Sequence, residues 1–138
     1  MPSDLIEFTC DLVSAWNEHD IPRILSFYAE DYHGEDVSQA GPILGHRGIE
    51  QAYYKVLRAF PDLNITNLEL VSRENRLAIA WKLQGTQRGV LMNIPPTGRM
   101  ISVQGGSFFS LFNGKIARGI HIWDVAGLLR ALGLLPEL

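Results

Sequence analysis

Apolar positions in the first third of the chain recur at helical spacing. Leu5, Phe8, Leu12, Val13 and Trp16 share one stripe, which predicts an amphipathic helix of about four turns with Ser3 available as its N-cap. The polar run Asn17-Glu18-His19-Asp20 breaks it, and Asp20-Ile21-Pro22 predicts a second, short helix with a capping acid and an early proline. That helix is expected to run through Ile24 and Leu25 to Tyr28 and to end near Glu30-Asp31, with residues 32–44, which hold Gly34, Gly41 and Pro42, irregular. Ile49, Tyr53, Val56, Leu57 and Phe60 form a third stripe and predict a helix over 45–60, stopped by Pro61-Asp62.

From Leu63 onward the period changes to two. Residues 63–71 alternate loosely, whereas Leu77, Ile79, Trp81 and Leu83 alternate cleanly with Ala78, Ala80, Lys82 and Gln84; the turn Arg73-Glu74-Asn75 joins the pair. Residues 89–98 read as a loop carrying Ile94-Pro95-Pro96-Thr97-Gly98. Residues 100–112 predict a long strand with a bulge at Gly105-Gly106, and Asn113-Gly114 a hairpin turn into a last strand over 115–123. Residues 124–132 predict a closing helix with Gly133 as its C-terminal glycine. Helices first, then an antiparallel meander of four strands, then a short helix is an α+β order. A curved sheet backed by helices on one face leaves a concave interior suited to an apolar pocket.

Composition narrows the function classes. The 138 residues suffice for one domain spanning 1–138, and 46% hydrophobic with 20% charged residues excludes a disordered chain. Twelve basic against fifteen acidic side chains, a net charge of -3, argue against nucleic acid or an anionic membrane as partner. The single Cys10 excludes an internal disulfide and a cysteine-built metal site, and no histidine pair has metal-ligand spacing, so no metal is expected. Asp4 and Glu7 fall where a signal peptide needs a basic start and an apolar run, so a soluble, cytoplasmic domain is expected.

Charge is uneven in a way that singles out one residue. Residues 1–40 hold nine acids and one base, yet between Glu74 and Glu137 Asp124 is the one carboxylate among seven Lys or Arg. Its sequence neighbours are Ile120, Ile122, Trp123, Val125, Leu128 and Leu129. Such a carboxylate is either an N-cap, as its place before Val125-Ala126-Gly127 suggests, or kept for chemistry, since loss of water raises a carboxyl pKa toward the range useful for proton transfer.

The runs Gly45-His46-Arg47-Gly48-Ile49 and Ala59-Phe60-Pro61-Asp62-Leu63, with Trp81, Gly85-Thr86, Gly89, Ile94-Pro95-Pro96-Thr97-Gly98-Arg99, Asn113-Gly114-Lys115-Ile116 and the segment from Asp124 to Gly133, resemble the SnoaL-like polyketide cyclases of the nuclear-transport-factor-2-like superfamily. The resemblance implies a cone-shaped sheet packed against N-terminal helices. It also implies a cyclase- or isomerase-type lyase that works without metal or cofactor on a small hydrophobic carbonyl compound. In that reading Asp124 is the acid/base group that removes a proton α to a carbonyl. His121 shares strand parity with Gly119 and Trp123; if that face points into the cone it is expected to bind an enolate oxygen or shuttle a proton, and otherwise it is a surface or satisfied core histidine.

His33, Trp16, Tyr32, Tyr53, Trp81, Gln104 and Phe108 are candidates to line the pocket, the aromatic ones as flat walls for a planar ligand. Two other readings stay open: a non-catalytic ligand-binding or association module, and an epoxide hydrolase-like enzyme drawing a second carboxylate from Asp31, Glu35, Asp36 or Asp62. The resemblance further implies a homodimer paired through the outer sheet face, where the alternate apolar set of residues 100–112 would otherwise lie bare.

Overall fold

Each helical stripe folds against a sheet. The computed structural model describes residues 2–137, and of Pro2 and Ser3 the backbone alone. Helix α1 (Pro2–Asn17) takes in the backbone of Ser3, and the capping expected of the Ser3 side chain lies outside the described residues. Asn17 fastens the other end: its amide donates to the Ile65 carbonyl at 2.9 Å and accepts from the Ile65 N–H at 2.7 Å, tying helix to sheet. Asp20 caps the short α2 (Ile21–Leu25) by accepting from Arg23 N–H at 3.2 Å, as its place before Pro22 predicts. Helix α3 (Gly45–Ala59) buries Ile49, Tyr53 and Ala59.

The region expected to finish α2 and then run irregularly forms instead β1 (Tyr28–Asp36), followed by the two-residue β2 (Ile43–Leu44). Strand β1 shows no clean alternation because its register shifts between Tyr28 and His33, and because its main partner is β6 (Lys115–Trp123), distant in sequence. The remaining strands, β3 (Asn64–Arg73), β4 (Arg76–Thr86) and β5 (Met100–Phe112), fall where periodicity places them, and α4 (Val125–Ala131) closes the chain.

The six strands are ordered β2-β1-β6-β5-β4-β3 in a curved sheet whose pairs are antiparallel except β1 with β6. No bulge interrupts β4 and β5 at Gly105-Gly106; the irregularities of the antiparallel pairs lie at Asn67/Glu69 and Ser110/Leu111. Glycine at 105 answers a packing need: a Cβ there would lie 2.6 Å from the Trp81 ring and 2.8 Å from the Ile122 carbonyl oxygen.

Two apolar clusters fill the helix-covered face. The larger joins Leu12, Ala15, Ile24, Tyr28, Tyr32, Ile49 and Tyr53 to Leu77, Ile79, Phe109, Leu111 and Ile116. The smaller joins Ala59, Phe60 and Leu63 to Ile101, Val103, Leu128 and Leu132, so α4 closes one end of the sheet. Each fully buried aliphatic side chain in them contributes about 1.5–3 kcal/mol. The loop between β4 and β5 is held from inside by Gln87. Its amide donates to the carbonyls of Gly89, Ile94 and Pro95, and its oxygen accepts from Thr97 N–H and Oγ1. No described helix is long and apolar enough to cross a membrane.

Candidate functional site on the inner sheet face

Between the two clusters the inner face turns polar. Strand pairing aligns Ile79, Ser107, His121 and Asp36 in one row across β4, β5, β6 and β1. The next row holds Asn67, Trp81, Gly105 and Trp123, so two indoles flank the bare backbone of Gly105. Trp81 Nε1 donates to Ser107 Oγ at 2.9 Å, and Ser107 Oγ lies 2.7 Å from His121 Nδ1. The other ring nitrogen, His121 Nε2, has the Tyr32 hydroxyl at 3.5 Å.

Local sequence explains how these groups meet. Tyr32 reaches His121 because its ring lies across Gly34 and Gly119, where a Cβ on either residue would overlap the hydroxyl. Tyr28 meets the Tyr32 ring edge-on at 5.0 Å, and Phe109 meets the His121 ring edge-on at 5.6 Å, which fixes both polar rings by apolar contact.

Electrostatics set the protonation states. Burial holds His121 below the ordinary histidine pKa of 6.5, opposed by the negative charge of Asp36, so the imidazole is neutral at neutral pH. Burial also pushes Tyr32 well above the usual phenol value, keeping its hydroxyl protonated. Asp36 is itself engaged: its carboxylate accepts from Trp123 Nε1 at 3.0 and 3.1 Å, from Ser38 N–H at 2.9 Å and from Ser38 Oγ at 2.6 Å.

Of the residues singled out by sequence, Tyr32, Trp81 and His121 come together here. Trp16 and Tyr53 lie in the larger cluster, ring against ring at 4.8 Å, with the Tyr53 hydroxyl donating to the Trp16 carbonyl at 3.3 Å; burial pushes the Tyr53 pKa up to about 12. His33, Gln104 and Phe108 do not line the inner face. Each is one residue out of phase with an inward neighbour (Tyr32, Val103 and Ser107, respectively), so strand alternation turns it outward. His33 and Phe108 instead border a depression of about 640 Å³ on the outer face, with Glu35, Arg76, Arg118 and Ile120.

Asp124 departs from the apolar, desolvated setting its neighbours imply. It is exposed at the end of β6, and its Oδ1 accepts from Gly127 N–H at 2.8 Å as the N-cap of α4. Its second oxygen makes no hydrogen bond among the described residues. Of the acids considered as a second carboxylate, Asp36 alone joins the row of His121. Asp62 accepts from Thr86 N–H and Oγ1, which holds its carboxyl below the ordinary range.

Ser107 and the pairing of Asp36 with His121 are additions the structure makes. Ser107 was legible as a polar residue in the otherwise apolar inward set Ile101, Val103, Phe109 and Leu111; Asp36 stood only as one of four candidate carboxylates, because local periodicity missed the strand that sets it beside His121. Among the described residues no group of three or more His, Cys, Asp or Glu gathers as a metal site would require.

A family model for SnoaL-like polyketide cyclases matches residues 9–132. The chain belongs to that family. No curated protein matches it. Among solved structures, AclR, a candidate hydroxylase from Streptomyces galilaeus, is similar with a TM-score of 0.87 and 23% identity over 99% of this chain and 89% of its own. IdmH, a candidate polyketide cyclase from Streptomyces antibioticus, gives 0.81 and 23% over 96% and 99%. A protein of ketosteroid isomerase-like fold from Catenulispora acidiphila, in complex with trimethylamine, gives 0.80 and 13% over 94% of each chain. At these identities the likeness shows the SnoaL-like fold, which hosts more than one chemistry.

Proposed function

We propose that this SnoaL-like protein is a cofactor-independent enzyme of the cyclase or isomerase type, moving a proton beside the carbonyl of a small hydrophobic compound. The observation that carries the reading is the polar chain Trp81–Ser107–His121–Tyr32, set between two apolar clusters on the inner face. Carbon acids need a base for the proton and a donor for the oxygen on which negative charge develops. In this reading a neutral His121 and the Tyr32 hydroxyl are the donors, and Asp124 is the base, its uncapped oxygen taking the α-proton and returning it to carbon or to the new hydroxyl. Trp81 and Trp123, both half-buried, supply flat walls.

The capping bond of Asp124 favours one competing reading, a binder of the same ligands with no turnover. Exchange of α-hydrogens for deuterium in heavy water, followed by NMR on acetophenone and 1-tetralone, separates the two. Wild type should exchange them above the buffer rate. Asp124→Asn, which keeps a capping side chain, and His121→Asn should each lower the rate by roughly 10²–10⁴-fold. Binding without exchange would select the binder, and a fully active Asp124→Asn protein would remove the carboxylate from the mechanism.

The same reading includes a homodimer. Val71, Phe108, Ile120 and Ile122 stay exposed on the outer sheet face around the depression there, and a second copy would cover them.

A further inference from the structure

We propose that Trp81 and Ser107 are positioning residues that fix the tautomer of His121, leaving its proton on Nε2 as a hydrogen-bond donor. The direction follows from counting protons. An indole N–H can only donate, so Trp81 Nε1, 2.9 Å from Ser107 Oγ, occupies one lone pair of that oxygen. Ser107 is buried, with 4% exposure, and its other hydrogen-bond neighbour is His121 Nδ1 at 2.7 Å.

Were Nδ1 to carry the proton, Ser107 Oγ would receive two hydrogens, and its own hydroxyl proton would have no acceptor among the described residues. With Nδ1 bare, both short contacts are satisfied, Trp81 donating to Ser107 and Ser107 donating to His121, and the protons left without a close acceptor are those of Nε2 and the Tyr32 hydroxyl, which face each other across the long contact. The 2.7 Å separation suits a hydroxyl donating to the bare ring nitrogen. A neutral imidazole has one ring proton, so it resides on Nε2. That nitrogen has only the long 3.5 Å contact to the Tyr32 hydroxyl, so its proton is weakly engaged.

The chain starts from a fixed donor, because the Trp81 ring packs against Gly105, where a Cβ would approach it to 2.6 Å. Burial, which disfavours the imidazolium, keeps the tautomer question meaningful at neutral pH. Resting on the proposed function for its ligand, this makes His121 a donor to a carbonyl or enolate oxygen and excludes it as the base that first removes the proton.

Two-bond ¹H–¹⁵N correlation of the ¹⁵N-histidine-labelled protein at neutral pH reads the tautomer directly. The chain has four histidines, and a His121→Gln sample assigns the signal. The expected pattern is a protonated Nε2 and a bare Nδ1. A proton on Nδ1, or on both nitrogens, overturns the proposal. Ser107→Ala should shift the tautomer ratio toward Nδ1–H by about fivefold to tenfold, the effect of one hydrogen bond. Trp81→Phe should shift it in the same direction, since it frees the second lone pair of Ser107, and it serves if the alanine variant does not fold. Folded variants with an unchanged ratio also overturn the proposal. The readout needs no substrate, so inert aryl ketones would sink the proposed enzyme while leaving the tautomer result standing.

Discussion

At the scale of single residues, the site is built from side chains whose options are removed one at a time. His121 is held neutral chiefly by burial, and Asp36, beside it in the row, partly offsets that effect. Removing the negative charge leaves burial unopposed, so Asp36→Asn should lower the His121 titration midpoint further, measured by NMR; an upward move would contradict the assigned cause. Folding stability should respond as well. Below pH 6.5 the unfolded chain protonates this histidine while the folded chain still refuses the proton. Stability therefore falls as pH drops from about 6.5 to the depressed folded value and levels off below it. Thermal unfolding at a series of pH values should show this loss in wild type, and His121→Asn should lack that component. Asp62, depressed by its bonds to Thr86, adds a separate loss as pH falls below its ordinary value of 3.8.

At the scale of elements, legibility tracks how local the stabilising contacts are. Helices α1 and α3 and strands β4, β5 and β6 follow their own hydrophobic period and sit where that period places them. Strand β1 exists because β6 pairs with it across some eighty residues, and its register shift scrambles the alternation that would have announced it. The Gly105-Gly106 pair shows the same divide. Two glycines in a strand signal a bulge locally, whereas the tertiary reason is the Trp81 ring lying on one of them. Gly105→Ala should therefore cost about 1–3 kcal/mol in urea unfolding through overpacking against ring and backbone. It should also disturb the His121 tautomer through Trp81, an effect absent from Gly41→Ala, whose Cβ meets nothing within 4 Å.

At the scale of the whole molecule, the sheet separates two chemically different faces by parity alone. Inward residues of β5 and β6 build the polar chain, and outward ones, Phe108, Ile120 and Ile122, remain exposed at 52%, 43% and 49%. A dimer formed through the outer face should yield to Phe108→Glu or Ile120→Lys: sedimentation should show about twice the chain mass for wild type and a monomer for either variant, with deuterium exchange retained if the inner site is complete within one chain. A monomeric wild type at micromolar concentration would remove the dimer from the reading.

The sequence alone determined the α+β order and the capping position of Asp124, because period, turn chemistry and cap chemistry act within a few residues, and its motifs carried the family resemblance; the inward facing of His121 was left to the tertiary structure. The tertiary structure decided that Asp124 is exposed, that His33, Gln104 and Phe108 face outward, and that Ser107 and Asp36 adjoin His121. Those facts depend on strand register and on pairing between distant segments, and a shift of one residue in register reverses the face that every side chain of a strand presents.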